Sequence, residues 1–387
     1  MNISRAYLVI PKLVEQPTWG GTYIVKTKGW ESTDYGSKHI GQSYELFSES
    51  NLSFVTDTGD GDFVPDMDGA TPHSFSIAHL IAEHPEAVLG TNNIERFGAE
   101  IKTLIKFTQA KGNSFQLHIK PGVQHTVWRT KPESWYYFEE GLATLGISDI
   151  SKIDKYRTAC ATVERYMHSL SERIKQGTLS FHKATEMANI FITGQKMYSY
   201  VNTISIPKNT VVDLHEGGTH HSWEEDNERY PHGNILYEVQ ADVRDDVSTL
   251  RSFDKGKFTE GGSTRTLHIE DYFRFLDRSP EANNPDTFMQ KPRTIYTGGG
   301  ITMSQVFDTP YYKMQRLDIT KQVNNEYTKL GRRSFHHLFV MDGAVGYTDT
   351  SCNVTVRKGH SLFVPACVEG YELTPLKGNC SVLKTYV

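Results

Sequence analysis

Gly, Asn, Asp and Pro cut this chain into short runs rich in β-branched and aromatic residues, and that punctuation leaves few folds open. Runs of four to eight such residues between turn-formers read as strands, and many in succession read as an antiparallel barrel or sandwich. Segments 104–107, 114–119, 134–138, 199–206 and 234–240 each fit one strand. A different texture occupies 151–191, where Ile153, Tyr156, Ala159, Val163, Tyr166, Met167 and Leu170 recur at three- and four-residue spacing. That spacing predicts a helical insert between strands. Segment 278–292 is polar and proline-bearing and reads as a linker. Strands resume beyond it at 312–319, 337–341, 344–347, 361–364 and 381–385. The expectation is a mainly β chain with a larger domain over 1–277 and a smaller β domain over 293–387, the latter patterned like a small jelly-roll barrel.

A length of 387 residues accommodates two such domains. A formal charge of −5, from 41 basic and 46 acidic residues, supplies no excess that would draw the chain to nucleic acid or an anionic membrane. Any anionic ligand has to be met by a local cluster. The four cysteines, Cys160, Cys352, Cys367 and Cys380, form no Cys-x-x-Cys pair and no targeting signal opens the sequence. They are expected as reduced thiols of a cytoplasmic protein. No apolar stretch approaches the roughly 20 residues that a spanning helix needs.

Within the first β region, Phe115-Gln116-Leu117-His118 places Gln116 and His118 on one face of a strand, because alternate side chains share a face. Glu133 follows after a loop and adds a carboxylate, and Gly218-Thr219-His220-His221 offers an imidazole. An amide oxygen, two imidazole nitrogens and a carboxylate suit zinc or another borderline divalent ion better than calcium. Lys131, two residues before Glu133, shares its face in an extended segment and carries a cation toward the same place. The second β region lacks this pattern. Its His336 and His337 are adjacent, so they point to opposite faces and read as structural; no metal is expected there.

These residues fall in an order that resembles type I phosphomannose isomerase, the mannose-6-phosphate isomerase family of the cupin superfamily. Trp19-Gly20-Gly21 resembles the family's Trp-Gly-Gly, and Ile40-Gly41-Gln42-Ser43-Tyr44-Glu45 its Ile-Gly-Glu-x-Trp-Glu. Leu104-Ile105-Lys106-Phe107 and Gln116-Leu117-His118 are similar to its Leu-Ile-Lys-Phe strand and Gln-Val-His-Pro motif. Lys131-Pro132-Glu133, Gly218 to His221, Glu238-Val239-Gln240 and Leu250-Arg251-Ser252-Phe253-Asp254 continue the set, and Leu267-His268-Ile269 follows. The aspartate that family members often place four residues before the arginine is here Val247, with Asp245 and Asp246 beside it.

The resemblance implies two cupin-like jelly-roll barrels, the larger and amino-terminal one catalytic, the carboxyl-terminal one degenerate. It implies one Zn²⁺ per chain on Gln116, His118, Glu133 and His221, the last chosen over His220 because it stands third after Gly218. It implies an isomerase that interconverts mannose 6-phosphate and fructose 6-phosphate, with Lys131 and Arg251 binding the sugar phosphate and stabilising an enediol-like state. The general base stays open among a histidine, the lysine and an acid near the arginine. A lysine in that role requires burial and a nearby metal to depress its pKa. The competing readings are a non-catalytic cupin that binds a sugar phosphate, an isomerase of another sugar, and an iron dioxygenase. Gln116 in place of a third histidine or carboxylate disfavours the dioxygenase.

Overall fold

The computed structural model describes residues 3–66, 69–222, 226–259, 261–326 and 332–387 and is mainly β, as the punctuation predicts. Two antiparallel sheets, built from strands between Lys12 and Gln290, face each other. One, of seven strands, is ordered Met289–Gln290, Val211–Asp213, Glu133–Tyr137, Asn234–Ala241, Thr103–Ala110, Ile40–Leu46 and Lys12–Glu15. The other, of five, is ordered Val201–Ile206, Gly141–Ile147, Gly218–Ser222, Phe115–His118 and Leu250–Phe253.

The two-residue period of these strands sorts their side chains into layers. Between the sheets, one end is apolar, with Trp135, Tyr137, Leu236, Ala143, Leu145 and Ile206 in contact. The outer face of the five-stranded sheet, including Phe115, Leu117 and Leu250, packs on helices Ile153–Lys175 and Phe181–Gln195. These helices are the expected insert, broken into two after Lys175. Their apolar stripe of Ile153, Tyr156, Ala159, Val163, Met167 and Leu170 is buried. The outer face of the seven-stranded sheet, including Ile105, Phe107 and Tyr237, packs against Phe339 and its neighbours from the carboxyl-terminal half.

That second half contains a nine-stranded sheet and a four-stranded one. The larger sheet departs from the division expected from sequence, because Tyr7–Ile10 pairs with Ser361–Val364 and extends it through Asn51–Ser53 and Ser74–Ser76. Three amino-terminal strands thus complete a sheet that the sequence assigns to residues 293–387. Nor is 278–292 a free tether. The Asn283 side chain accepts from Ile147 N and donates to the Asp277 and Ser279 carbonyls, and Met289–Gln290 adds an edge strand on Val211–Val212. Asn283 is buried among these bonds, while Arg278, Glu281, Asn284 and Asp286 around it stay exposed.

His336 and His337 have structural partners. His336 Nδ1 lies 2.9 Å from the Tyr371 hydroxyl, and His337 Nε2 donates to the Glu45 carbonyl at 3.1 Å. Glu45 itself ends the Ile40-to-Glu45 motif and anchors the halves to each other. Its carboxylate meets Lys28 Nζ at 2.7 Å, both side chains being wholly buried, and accepts from Ser43 and from Ser361 across the interface. Lys28 also donates to the Gly359 carbonyl.

A buried charge left without its partner costs about 3–5 kcal/mol. Lys28→Ala is therefore expected to lower unfolding free energy by about that amount, and Lys28→Met with Glu45→Leu to recover most of it. Denaturant titration of the three proteins decides the point; a silent Lys28→Ala would mean the pair carries no anchoring role.

Candidate metal centre

At the opposite end of the same inter-sheet space the inward-facing positions are polar. From the seven-stranded sheet they are Gln42, Tyr44, Lys106, Thr108, Glu133 and Glu238; from the five-stranded sheet they are Gln116, His220 and Arg251. With Lys131, Asp245 and Arg265 from loops they line a cleft of about 890 Å³ counted to its open mouth.

Cross-strand register puts these groups together. Gln116 lies opposite both His220 and Arg251, and His118 lies opposite Gly218. Paired residues share a face, so Gln116, His118, His220 and Arg251 all point inward. The chain enters the Gly218 strand through Gly217, whose φ of 80° and closeness to the His118 carbonyl, 2.7 Å from where a Cβ would stand, admit only glycine.

His118, Glu133 and His220 each offer a ligand atom, and these atoms all lie within 4.8 Å of one another. The choice of His221 over His220 is corrected here: His221 is one residue out of phase. Its ring faces the helical side, 4.0 Å from the Phe115 ring centroid, with Nε2 3.2 Å from Thr144 Oγ1. Strand alternation from Gly218 gives His220, not the third residue, and it was legible in sequence once Gly218–His220 was read as a strand.

The triad is oriented for a cation. His118 Nδ1 donates to the Ser248 carbonyl at 2.9 Å and His220 Nδ1 to the Gly218 carbonyl at 3.1 Å, so Nε2 is the ring nitrogen that each turns toward the cluster. Burial, and secondarily His118, push the His220 pKa down to about 3, so its ring is neutral. Trp135 Nε1 holds Glu133 Oε1, while Oε2 turns toward His118 Nε2 at 3.2 Å and Lys131 Nζ at 3.3 Å. Burial would raise the Glu133 pKa, but Lys131 and His118 outweigh it and hold the carboxyl well below the usual range. Gln116 faces the same space and can add an amide oxygen.

Lys131 is buried and paired with Asp245 at 3.1 Å as well as with Glu133. Burial pulls its pKa down, yet Asp245, Glu133 and Glu238 together drive it above the ordinary lysine value. The depressed pKa that a lysine base requires is absent, and Lys131 stands as a fixed ammonium. Asp245 also lies 3.6 Å from Arg251. A single 3₁₀ turn, Asp245–Val247, folds the backbone so that Asp245 rather than Val247 reaches both cations. Sequence reading missed Lys106 and Glu238 as cleft residues. Lys106 Nζ bonds Glu238 Oε1 at 2.9 Å and Gln240 Oε1 at 2.7 Å. Each is the single charge of its strand and stands between apolar neighbours, a signal visible in Ile105-Lys106-Phe107 and Tyr237-Glu238-Val239.

The two histidines make separable predictions. His220→Ala is expected to weaken zinc binding on the order of 100-fold or more, beyond what loss of an outer-shell partner costs. His221→Ala is expected to keep zinc and lose about 2–4 kcal/mol of stability through the cavity it leaves. Zinc titration of the chelated and refilled variants, with thermal melts, separates them; the reverse pattern would restore His221.

Neither a family model nor a curated protein sequence matches this chain. Solved structures do. The mannose 6-phosphate isomerase from Bacillus subtilis is 16% identical, with 99% of each chain covered and a TM-score of 0.66. A zinc-bound mannose 6-phosphate isomerase is 13% identical, covering 98% of this chain and 99% of that one at a TM-score of 0.64. A mutant phosphomannose isomerase from Salmonella typhimurium is likewise 13% identical, with the same coverage and a TM-score of 0.64. From end to end, this chain has the fold of these isomerases.

Proposed function

We propose that the chain is a metal-dependent aldose–ketose isomerase acting on a hexose 6-phosphate, mannose 6-phosphate and fructose 6-phosphate being the pair that its structural neighbours' names point to. The observation that carries this reading is the cluster of His118, Glu133 and His220, two of which line the polar cleft together with Lys131 and Arg251. Gln116, His118, Glu133 and His220 would hold one zinc ion. When bound there, the ion supplies Lewis acidity toward the sugar's carbonyl and hydroxyl oxygens.

The remaining chemistry belongs to the chain. Isomerisation takes a proton from C2 of the aldose and delivers one to C1, with negative charge developing on the two oxygens between. Lys131, held as an ammonium, and Arg251, with its planar fork, stabilise that charge. Proton transfer needs a group that is neither permanently ionised nor committed to the metal. Among the cleft's carboxyls, Lys131 chiefly, against the opposing effect of burial, holds the Asp245 pKa below the ordinary range, and Glu133 is held low as well. Glu238 differs: burial, the largest cause, raises its pKa, and Glu133 adds to that while Lys106 opposes it. Glu238 is the cleft carboxyl whose surroundings favour its protonated form, and so the one suited to exchange a proton. A cupin that only binds sugar would not require this set of buried cations, each of which costs desolvation.

A coupled assay on mannose 6-phosphate and fructose 6-phosphate, with and without chelator, tests the reading; a zinc-loaded chain inert on both would end it. In an active protein, Arg251→Ala should cost about 3 kcal/mol of transition-state stabilisation, the scale for a lost charge-stabilising donor. Zinc content should not change, and Arg251→Lys should restore little. Glu238→Gln should cut turnover about 100-fold or more with zinc retained. Wild-type turnover in Glu238→Gln would move proton transfer elsewhere.

A further inference from the structure

The space between the nine-stranded and the four-stranded sheet holds a polar cluster that isomerisation does not use. Register defines its members. Lys384 lies opposite both Gln315 and Leu338, and Gln315 lies opposite Gln305. His336, two residues before Leu338 on one strand, points the same way, and its ring meets Tyr371 of the four-stranded sheet. Gln305, Gln315, Lys384 and His336 therefore face into this second inter-sheet space. The alternate residues turn to the other half of the chain: Arg316 donates to the Tyr136 hydroxyl and His337 to the Glu45 carbonyl.

Lys384 differs from the other buried lysines. Lys28, Lys106 and Lys131 each meet a carboxylate. Lys384, 7% exposed, has neither an ion pair nor a hydrogen bond among the described residues, and the Tyr386 ring, its centroid 5.7 Å from Nζ, is its one charge-accommodating contact there. Burial pushes its pKa down to about 8 with no acid opposing, so at pH 7 it is still an ammonium. Burial, and after it the Lys384 charge, holds the His336 ring neutral. An ammonium kept from water without a counter-charge is a cost that a bound anion removes.

The acceptor beside it is open as well. Gln305 Nε2 donates to the Phe307 and Met314 carbonyls, so Oε1 is the atom it turns to Gln315, 3.3 Å from Gln315 Nε2. That orients the second amide. Gln315 Oε1 is left buried and without a hydrogen-bond partner among the described residues. Opposed residues on antiparallel strands have Cβ atoms about 4.5–5.5 Å apart, so the open cation and the open acceptor are close enough for one small molecule to meet both. Stacked sheets stand about 10 Å apart, which limits that molecule to a few carbons.

We propose that the polar end of the second inter-sheet space binds a small hydroxycarboxylate, its carboxylate accepting from Lys384 Nζ and its hydroxyl donating to Gln315 Oε1. The site is independent of the isomerase reading. It lies in the half of the chain without the metal cluster, and it needs no zinc.

The test titrates the zinc-loaded full chain calorimetrically at pH 7 with glycolate as probe and acetate, which lacks the hydroxyl, as control. Glycolate held by the zinc ion is common to the wild type and to variants in the second half, so the difference between them reads the new site. Lys384→Met is expected to weaken that binding about tenfold or more. Having lost a cation that nothing balances, it should also melt at or above the wild-type temperature, with zinc content unchanged. Gln315→Leu should weaken glycolate about threefold or more and leave acetate binding as it was. Superimposable titrations of wild type and Lys384→Met overturn the site, as does glycolate binding that disappears with His220→Ala and persists in Lys384→Met. A Lys384→Met chain that melts lower, together with a wild-type melting temperature that glycolate does not raise, overturns it too and assigns the lysine to the fold.

Discussion

Charged side chains lying between two β-sheets are the constraint on which the site depends. The space between stacked sheets is normally an apolar core, and here Trp135, Tyr137 and Leu236 fill it so at one end. At the other end Lys106, Glu133, Glu238 and Lys131 are nearly buried. Unpaired, each would cost several kcal/mol in a low-dielectric setting. They are tolerable because they alternate in sign: Lys106 with Glu238, Lys131 with Glu133 and Asp245. Removing one member leaves its neighbour uncompensated, so the network holds each group to one position. That rigidity is what a metal and a reacting carbon both need from their surroundings.

The same strand period explains which parts of the site were legible in the sequence. Gln116 and His118 share a face by alternation alone, and Lys131 with Glu133 by the same rule, without knowledge of the partner strands. His221 fails because a motif position was put above that rule: counting by twos from Gly218 gives His220. Asp245 could be read only as one of two candidates beside Val247, since a 3₁₀ turn, set by local backbone bonding, decides which of three consecutive residues meets Lys131 and Arg251. Lys106 and Glu238 lie in otherwise apolar strands, where the pairing Glu238 with Lys106 is a matter of register between segments more than 100 residues apart.

At the level of fold, local pattern gave the strands and the insert, while long-range pairing stayed hidden. Runs such as 361–364 and 344–347 carry their β character in their own residues. Nothing in Tyr7–Ile10 announces that it will pair with Ser361–Val364 rather than with a neighbour in sequence. The polar run 278–292 illustrates the other limit. Composition marks a stretch that cannot form core, and it does not say whether its amides face water or, like Asn283, bond a strand edge.

Charge balance in the cleft runs against that of the whole molecule. The chain carries a formal −5, yet the residues lining the cleft include four cations, Lys106, Lys131, Arg251 and Arg265, against three carboxylates, Glu133, Glu238 and Asp245. With the His220 ring neutral, these four cations against three carboxylates leave the cleft positive, and a divalent metal would add to that. Focused in a low-dielectric cleft, that local excess outweighs a diffuse opposite charge that salt screens within about 8 Å at physiological ionic strength. The overall charge therefore offers no pull on polyanions, while the cleft's own excess of cations favours a small anion that can enter it.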